Sequence, residues 1–411
     1  MQTGDTGRRA RKRRQRFIIF QAASVLFVLL LAEVGSRLLI WKLPGHDFRP
    51  TSEILADQSR AIQQLLDTNR QQAIEIHAKL GWRYAPNFKS PVHQLNSMAL
   101  RSAREYSPKP PSHTLRIAAF GDSYVYGSEV DNPSAWAALI EADDSHVELL
   151  NYGVGGYGVD QAYLRYLLEG ADLHPQIVMM GFTTDDIGRV VNRYRRFVDG
   201  HDLVLFKPRY LIDQKGDLTL LDAPVHDRQG YERVLANPQE IVRYAEHDYW
   251  YRASVYENPL YEYSGAVRLV SWLTTRAYRQ QFDPERLYKG RVVSTTSSAF
   301  RLNVALLQRF AQAVQAAGAS PIVVMLPDPE SVRAARTGSP TRYQPLIDHL
   351  RNQQIVFLDG AEAFRKLPQR SDDQSWFAPE GHYSAAGNRI VASWLGPAIK
   401  EYAARLGVGT K

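Results

Sequence analysis

The chain contains no cysteine, which excludes disulfides and thiolate-held metal sites. It also has little charge imbalance beyond its first residues. Seven basic side chains (Arg8, Arg9, Arg11, Lys12, Arg13, Arg14, Arg16) against Asp5 alone give residues 1–16 six of the seven net positive charges. The remainder is close to neutral, so the sequence offers no basic domain for nucleic acid. Internal repeats are lacking, and low-complexity sequence is confined to the basic tail. Hydrophobic residues at 44% and charged residues at 23% are the proportions of a globular core.

The basic tail runs into the apolar segment Phe17–Ala32, interrupted only by Gln21 and Ser24. Glu33 and Arg37 follow at a spacing of i, i+4, and then Leu38, Leu39, Ile40 and Trp41. A helix over 17–41 is long enough to cross a hydrocarbon core of about 30 Å. Glu33 and Arg37 would then pair or snorkel near the far interface, and Trp41 suits an interfacial anchor. The basic flank places the amino terminus in the cytoplasm and the rest of the chain outside. A cleaved signal peptide is the competing reading. The apolar stretch is long for one, and no small-x-small site follows it.

Residues 42–112 read as a membrane-proximal helix and linker. Ile54, Leu55, Ile62, Leu65, Leu66, Ile74 and Ile76 among polar residues predict a mostly polar helix, a stalk, over 52–79; residues 80–112 look irregular. From 113 onward short β-rich runs alternate with helical stretches. Leu115–Phe120, Val147–Asn151, Ile177–Gly181, Ile322–Leu326 and Ile355–Leu358 are nearly continuous apolar runs, as expected of strands covered on both faces. Leu302, Leu306, Phe310, Ala313 and Ala317 mark one face of a helix ending at Gly318. Such alternation implies a parallel sheet with helices on both sides. The rhythm breaks at about 195–297, an aromatic and charged stretch (Tyr210, Tyr231, Tyr244, Tyr249, Trp250, Tyr251) read as an insertion over one end of the sheet.

Three segments carry the chemistry. Gly121-Asp122-Ser123 directly follows the first predicted strand, where ligands of an open parallel sheet bind. Asn151 to Gly158, ending the second, is rich in glycines whose N–H groups suit a developing oxyanion. Neither a phosphate-loop Lys-Ser/Thr nor a dinucleotide fingerprint accompanies it. Glu380-Gly381-His382 comes some twenty residues after the last strand, before a helix that Ser384 could cap. A serine hydroxyl needs a neighbouring base, and His382 is the candidate, with Glu380 to orient it.

Serine early, glycine in the second block and a late acid-x-His resemble the SGNH/GDSL hydrolases, above all bacterial membrane-anchored members found with cell-surface polysaccharide genes. The resemblance includes Leu80-Gly81-Trp82, Pro86-Asn87, Asn96-Ser97 and Leu100-Arg101, and the block GDSYVYGSEVDNPSAW with Gly127 and Trp136. Gly155-Gly156-Tyr157-Gly158 with Gln161 also matches. It covers roughly 78–190 and 300–400. It implies a three-layer α/β sandwich with a flavodoxin-like parallel sheet in 113–411, preceded by one transmembrane helix.

By resemblance Ser123 is the nucleophile, His382 the base and Glu380 the acid. The N–H groups of Ser123 and Gly156 form part of the oxyanion hole. The family's third block supplies an Asn amide to that hole, whereas this chain reads Thr183-Thr184-Asp185-Asp186. Neither Asp185 nor Asp186 is an amide; one of them, Asp185 foremost, stands at the Asn position, and an ionised carboxylate there repels an oxyanion. A protonated carboxylate, a substitute donor (Asn192, Thr183 or Thr184) or a weakened site are the three readings. Arg189, Arg193, Arg195 and Arg196 read either as a solvated basic face or as contacts to an acidic glycan. Tyr124, Tyr126 and Tyr157 would either stack on sugar rings or pack in the core.

The expected function is an esterase forming an acyl-Ser123 intermediate on O-acetyl esters of an extracytoplasmic glycan. Its expected location is the bacterial inner membrane, with the catalytic domain in the periplasm. No metal or organic cofactor is implied. The expected partners are the glycan, the membrane and proteins of polysaccharide assembly. The alternatives are an O-acetyltransferase, whose triad would be the same, and a non-catalytic glycan-binding or assembly subunit.

Overall fold

The structure is a computed structural model. Its backbone is described over residues 4–43, 48–67, 73–198, 203–365, 367–368 and 373–408. Residues 1–3 of the basic tail, and the side chains through residue 10, lie outside the described residues.

Helix α1, Gly4–Trp41, carries the basic tail and the apolar run in one element. Its segment Arg11–Trp41 is long and apolar enough to cross a membrane, and its apolar side chains are exposed. Helix α2, Thr51–Leu66, follows. It is not a stalk. Ile54, Leu55, Ile62 and Leu66 are buried, three of them against Val225, Tyr231, Val234 and Ile241 of the insertion. The Thr51 hydroxyl donates to the Val255 carbonyl at 2.6 Å. Ile74 and Ile76 are not helical either; they lie in a hairpin pairing Ile74–His77 with Gly81–Tyr84. A helical count of apolar residues missed the burial of α2, because its partner surface comes from residues more than 150 positions away.

The sheet has five parallel strands: β1 Leu115–Gly121, β2 Val147–Gly153, β3 Ile177–Phe182, β4 Ser320–Met325 and β5 Phe357–Asp359. Their spatial order is 5-4-3-1-2, the flavodoxin-like arrangement. Alternate residues feed two cores. Ala118, Phe120, Leu150, Tyr152, Val178 and Met180 face one, covered by α4 (Val159–Glu169), α6 (Ser298–Ala316) and α7 (Gln344–Asn352). Ile117, Ala119, Leu149, Met179, Ile322 and Val324 face the other, covered by α3 (Trp136–Asp143) and α8 (Ala385–Leu406). Ser384 caps α8 as expected, accepting from the N–H groups of Ala386 and Gly387. The three-layer α/β sandwich is therefore present.

Among the described residues no strand of this sheet falls within 195–297. That stretch holds two small hairpins and short helices, the longest being α5, Gly265–Ala277. It shares a third core with α2 and the hairpin at 74–84.

Candidate active site

Strand order reverses beside β1, and the crevice at such a switch point is where open α/β sheets bind ligands. β1 ends at Gly121, in register with Gly153 of β2. A Cβ on Gly153 would lie 2.3 Å from the Tyr126 nitrogen. Glycine there lets the turn Ser123–Tyr126 sit directly on the strand ends. Buried Asp122 caps that turn, accepting from the Tyr124 N–H at 2.8 Å and the Val125 N–H at 3.4 Å.

The structure brings Ser123 and His382 together: the serine hydroxyl donates to His382 Nε2 at 2.8 Å. The other ring nitrogen, Nδ1, donates to Glu129 at 2.7 Å. An acceptor at Nδ1 holds the proton there and leaves Nε2 free to accept. The Glu129 carboxylate also accepts the backbone N–H groups of His382 at 3.1 Å and Glu380 at 3.4 Å. Glu380 therefore does not orient the imidazole, contrary to the sequence expectation. Its side chain is exposed, and only its backbone takes part. Glu129 lies six residues after the serine, on a loop held by Arg101, which donates to the Gly127 and Val130 carbonyls. Tyr124 steadies the histidine loop: its hydroxyl donates to the Gly381 carbonyl at 2.8 Å and its ring lies 5.1 Å from the imidazole. Tyr124, Tyr126 and Tyr157 are all buried, which makes them packing residues.

The glycine block supplies the second feature. Gly156 has φ of +82°, a region costly for any residue with a Cβ. The Trp82 indole donates to the Gly155 carbonyl at 3.1 Å. In a trans peptide the carbonyl and the following N–H point in opposite directions, so this bond aims the Gly156 N–H away from Trp82. Among the described residues no side chain or backbone carbonyl accepts that N–H. The amide of Ser123, at the head of its turn, likewise has no acceptor among the described residues. Leu80-Gly81-Trp82, part of the family-like pattern, thus acts through the glycine block: Gln161 donates to the Leu80 carbonyl at 2.8 Å and the Tyr157 hydroxyl donates to the Trp82 carbonyl at 2.5 Å.

The third block departs from the expected amide in a specific way. The Asp185 side chain is 68% exposed, with Arg189 Nη2 3.9 Å away. Asp186 is buried; it accepts the Thr183 N–H at 3.1 Å and pairs with Arg189. The same guanidinium reaches Asp122 at 3.3 Å and the Tyr157 carbonyl at 3.0 Å. Two buried carboxylates share one cation. Burial pushes both above the usual carboxylate range, Asp186 well above it because the Asp122 charge stands beside it.

Of the substitute donors considered, Asn192 is committed to Tyr194 and Asp248, and the Thr184 hydroxyl pairs with Ser331 at 3.1 Å. The Thr183 hydroxyl is buried and without a partner among the described residues.

Three of the four arginines of the run do not form a solvated face, and Arg196 is half-buried. Arg189, Arg193 and Arg195 are buried. Arg193 donates to the Glu246 and Asp222 carbonyls, and burial pulls Arg195 down to about 9. Among the described residues no three His, Asp or Glu side chains are arranged to hold a metal.

A relay of this kind can take a proton from the Ser123 hydroxyl and hold the resulting imidazolium against a carboxylate. Glu129 escaped the sequence reading although it sits within GDSYVYGSEV. The signal was an acid on the nucleophile's own loop, in a block rich in turn residues.

No family model matches the chain, and neither does any curated protein. Solved structures do. A lipase/acylhydrolase from Enterococcus faecalis is 12% identical, with 70% of this chain and 96% of that one covered and a TM-score of 0.33. A member of the lipolytic protein G-D-S-L family from Veillonella parvula is 13% identical over 68% and 94%, with a TM-score of 0.31. A catalytic mutant of an acetylxylan esterase from Geobacillus stearothermophilus is 12% identical over 68% and 90%, with a TM-score of 0.32. At these values the likeness does not extend to substrate or mechanism.

Proposed function

We propose that the chain is a membrane-anchored serine esterase of the SGNH/GDSL type that removes acyl groups, chiefly O-acetyl, from an extracytoplasmic glycan. The observation that carries this reading is the unbroken relay from Ser123 through His382 to Glu129 at the carboxyl end of β1. The Ser123 oxygen attacks the ester carbonyl while its proton passes to His382 Nε2. The N–H groups of Ser123 and Gly156 receive the oxyanion. The imidazolium, held by Glu129, returns its proton to the departing sugar hydroxyl, leaving acyl-Ser123. Water then attacks, giving a proton to the same nitrogen; as the bond from the acyl carbon to the Ser123 oxygen breaks, the imidazolium returns that proton to Ser123, and the carboxylic acid leaves. A non-catalytic binding subunit would have no use for this set.

A cleft of about 1070 Å³ supports the glycan part of the reading. It is lined by Trp250, Tyr288, Arg279, Arg291, Arg333 and Arg342 among others, and by Ser331, whose hydroxyl meets Thr184 beside Asp185. Aromatic faces stack on sugar rings, and guanidinium groups pair with carboxylate substituents. The anchor is α1, with the basic tail in the bacterial cytoplasm and the catalytic domain in the periplasm.

The test uses the full-length protein in detergent with an activated acetyl ester. Acetyl on Ser123, found by mass spectrometry after an acid quench and lost with time in buffer without any glycan, supports the esterase. Acetyl retained until a glycan acceptor is added points to a transferase, and no acetyl at all to a binding subunit. A reporter fused after residue 411 should be active only outside the cytoplasm.

A further inference from the structure

The amino-terminal helix and the insertion meet at one place. Glu33 of α1 sits over the first turn of α5. Its carboxylate accepts the Gly265 N–H at 2.8 Å, the Ala266 N–H at 3.1 Å and the Ser264 hydroxyl at 2.7 Å. The first N–H groups of a helix have no partner within it and carry partial positive charge, so an acidic cap from another element satisfies both needs. Arg37 closes the joint, donating to Glu33 at 2.6 Å and to the Tyr263 carbonyl at 3.0 Å. A Cβ on Gly265 would lie 2.8 Å from Arg37 Cγ, so glycine at that position allows the two helices to approach.

This joint fixes the depth of the first turn of α5. From Phe17 to Glu33 a helix rises about 24 Å at 1.5 Å per residue, less than the roughly 30 Å of a hydrocarbon core. With Phe17 at the inner boundary, Glu33 stands at or just inside the outer one, and α5 starts there with it. The inward face of α5 carries buried Gly265, Arg268 and Ser271. Its opposite face carries Val270 and Leu273, 57% and 49% exposed. The flanking turns add Leu260, Tyr263, Tyr278 and Phe282, each more than half exposed. Because α1 and α5 pack against each other, the Glu33 joint brings these residues beside the exposed apolar belt of α1. The tyrosines among them and Arg276 over the Trp272 ring at 5.4 Å suit a headgroup boundary, where amphipathic rings and snorkelling cations settle.

We infer that the stretch 260–282 lies in the outer lipid interface, seating the catalytic domain against the membrane that α1 crosses. The occupant of this face is lipid, and the inference rests on the anchor proposed above. It goes beyond anchoring, since a tether alone would leave the domain free to tumble.

The absence of cysteine makes the test direct. Full-length single-cysteine variants Phe27→Cys, Val270→Cys, Phe282→Cys and Lys215→Cys each carry a polarity-sensitive dye, in phosphatidylethanolamine–phosphatidylglycerol nanodiscs with and without nitroxide-labelled lipid. The dyes at 27, 270 and 282 should be quenched several-fold more than the one at 215, on an exposed hairpin turn. Quenching at 27 but not at 270 and 282 overturns the inference and leaves the anchor standing. Loss of quenching at 27 as well overturns both. A dye at 270 that shifts with protein concentration in detergent, yet ignores the lipid quencher, means that a second copy covers the face, and also overturns it.

Discussion

On one flank of Ser123 the Glu129 carboxylate meets an imidazole; on the other, Asp122 and Asp186 meet a guanidinium. Both arrangements are carboxylates paired with nitrogen bases near the same hydroxyl. Their partners separate them. An imidazole exchanges its proton near neutral pH, whereas a guanidinium keeps its own. The first flank can move a proton to and from the serine. The second holds the loop ends of β1 and β3 together and cannot take part in proton transfer through Arg189. Exposure differs in the same sense: His382 and Glu129 retain 22% and 15% of their side-chain surface, while Asp122 and Asp186 are buried.

The largest expected effect is at the hydroxyl shared by both flanks. Ser123→Ala should lower turnover of an activated acetyl ester on the order of 10^4- to 10^6-fold and abolish the acetyl adduct. Unchanged turnover would place the chemistry elsewhere.

Next comes the contrast between two glutamates. Glu129→Gln removes the charge that holds the imidazolium, and kcat should fall on the order of 10^3- to 10^4-fold. Glu380→Gln should leave kcat unaltered, because only its backbone N–H touches the relay. The reverse outcome would restore the acid-x-His reading of the sequence.

A smaller effect, of opposite sign, is expected at Asp185. Asp185→Asn puts an amide donor where the family-like pattern has one, and kcat should rise by about one to two orders of magnitude. A loss of activity would assign the carboxylate a positive role.

The smallest effect is on stability alone. Asp122 and Asp186 are raised in the folded state, so it retains protons that the unfolded chain releases near pH 3.9. Their favourable contribution is complete below that pH and declines as pH rises through the folded values. Asn at 186 cannot titrate. Thermal unfolding from pH 5 to 8 should therefore show the wild type losing melting temperature relative to Asp186→Asn. Parallel curves would mean that Arg189 keeps both carboxylates ionised throughout.

The strands and the nucleophile loop were legible because each is a local pattern: continuous apolar runs, a glycine turn, a capping serine. The strand predicted at Ile355–Leu358 is observed as Phe357–Asp359, the shortest of the five, an edge strand bonded on one side only. The supposed stalk and the supposed basic face failed for one reason. Polar and charged side chains read as solvated until a distant segment covers them. Gln58 and Arg195 are both 1% exposed; Gln58 accepts from the Tyr194 hydroxyl at 2.9 Å.

Sequence alone was sufficient for the alternation of strands and helices, the apolar span of α1 and the glycine turn that carries Ser123. These depend on periodicity and on residue types within short windows. The choice of Glu129 over Glu380, the burial of Asp186 against Arg189 and the capping of α5 by Glu33 depended on folding. Glu129 and His382 are 253 residues apart, and Glu33 and Gly265 are 232 apart. Contacts at such separations follow from sheet order and packing, so no local window contains them.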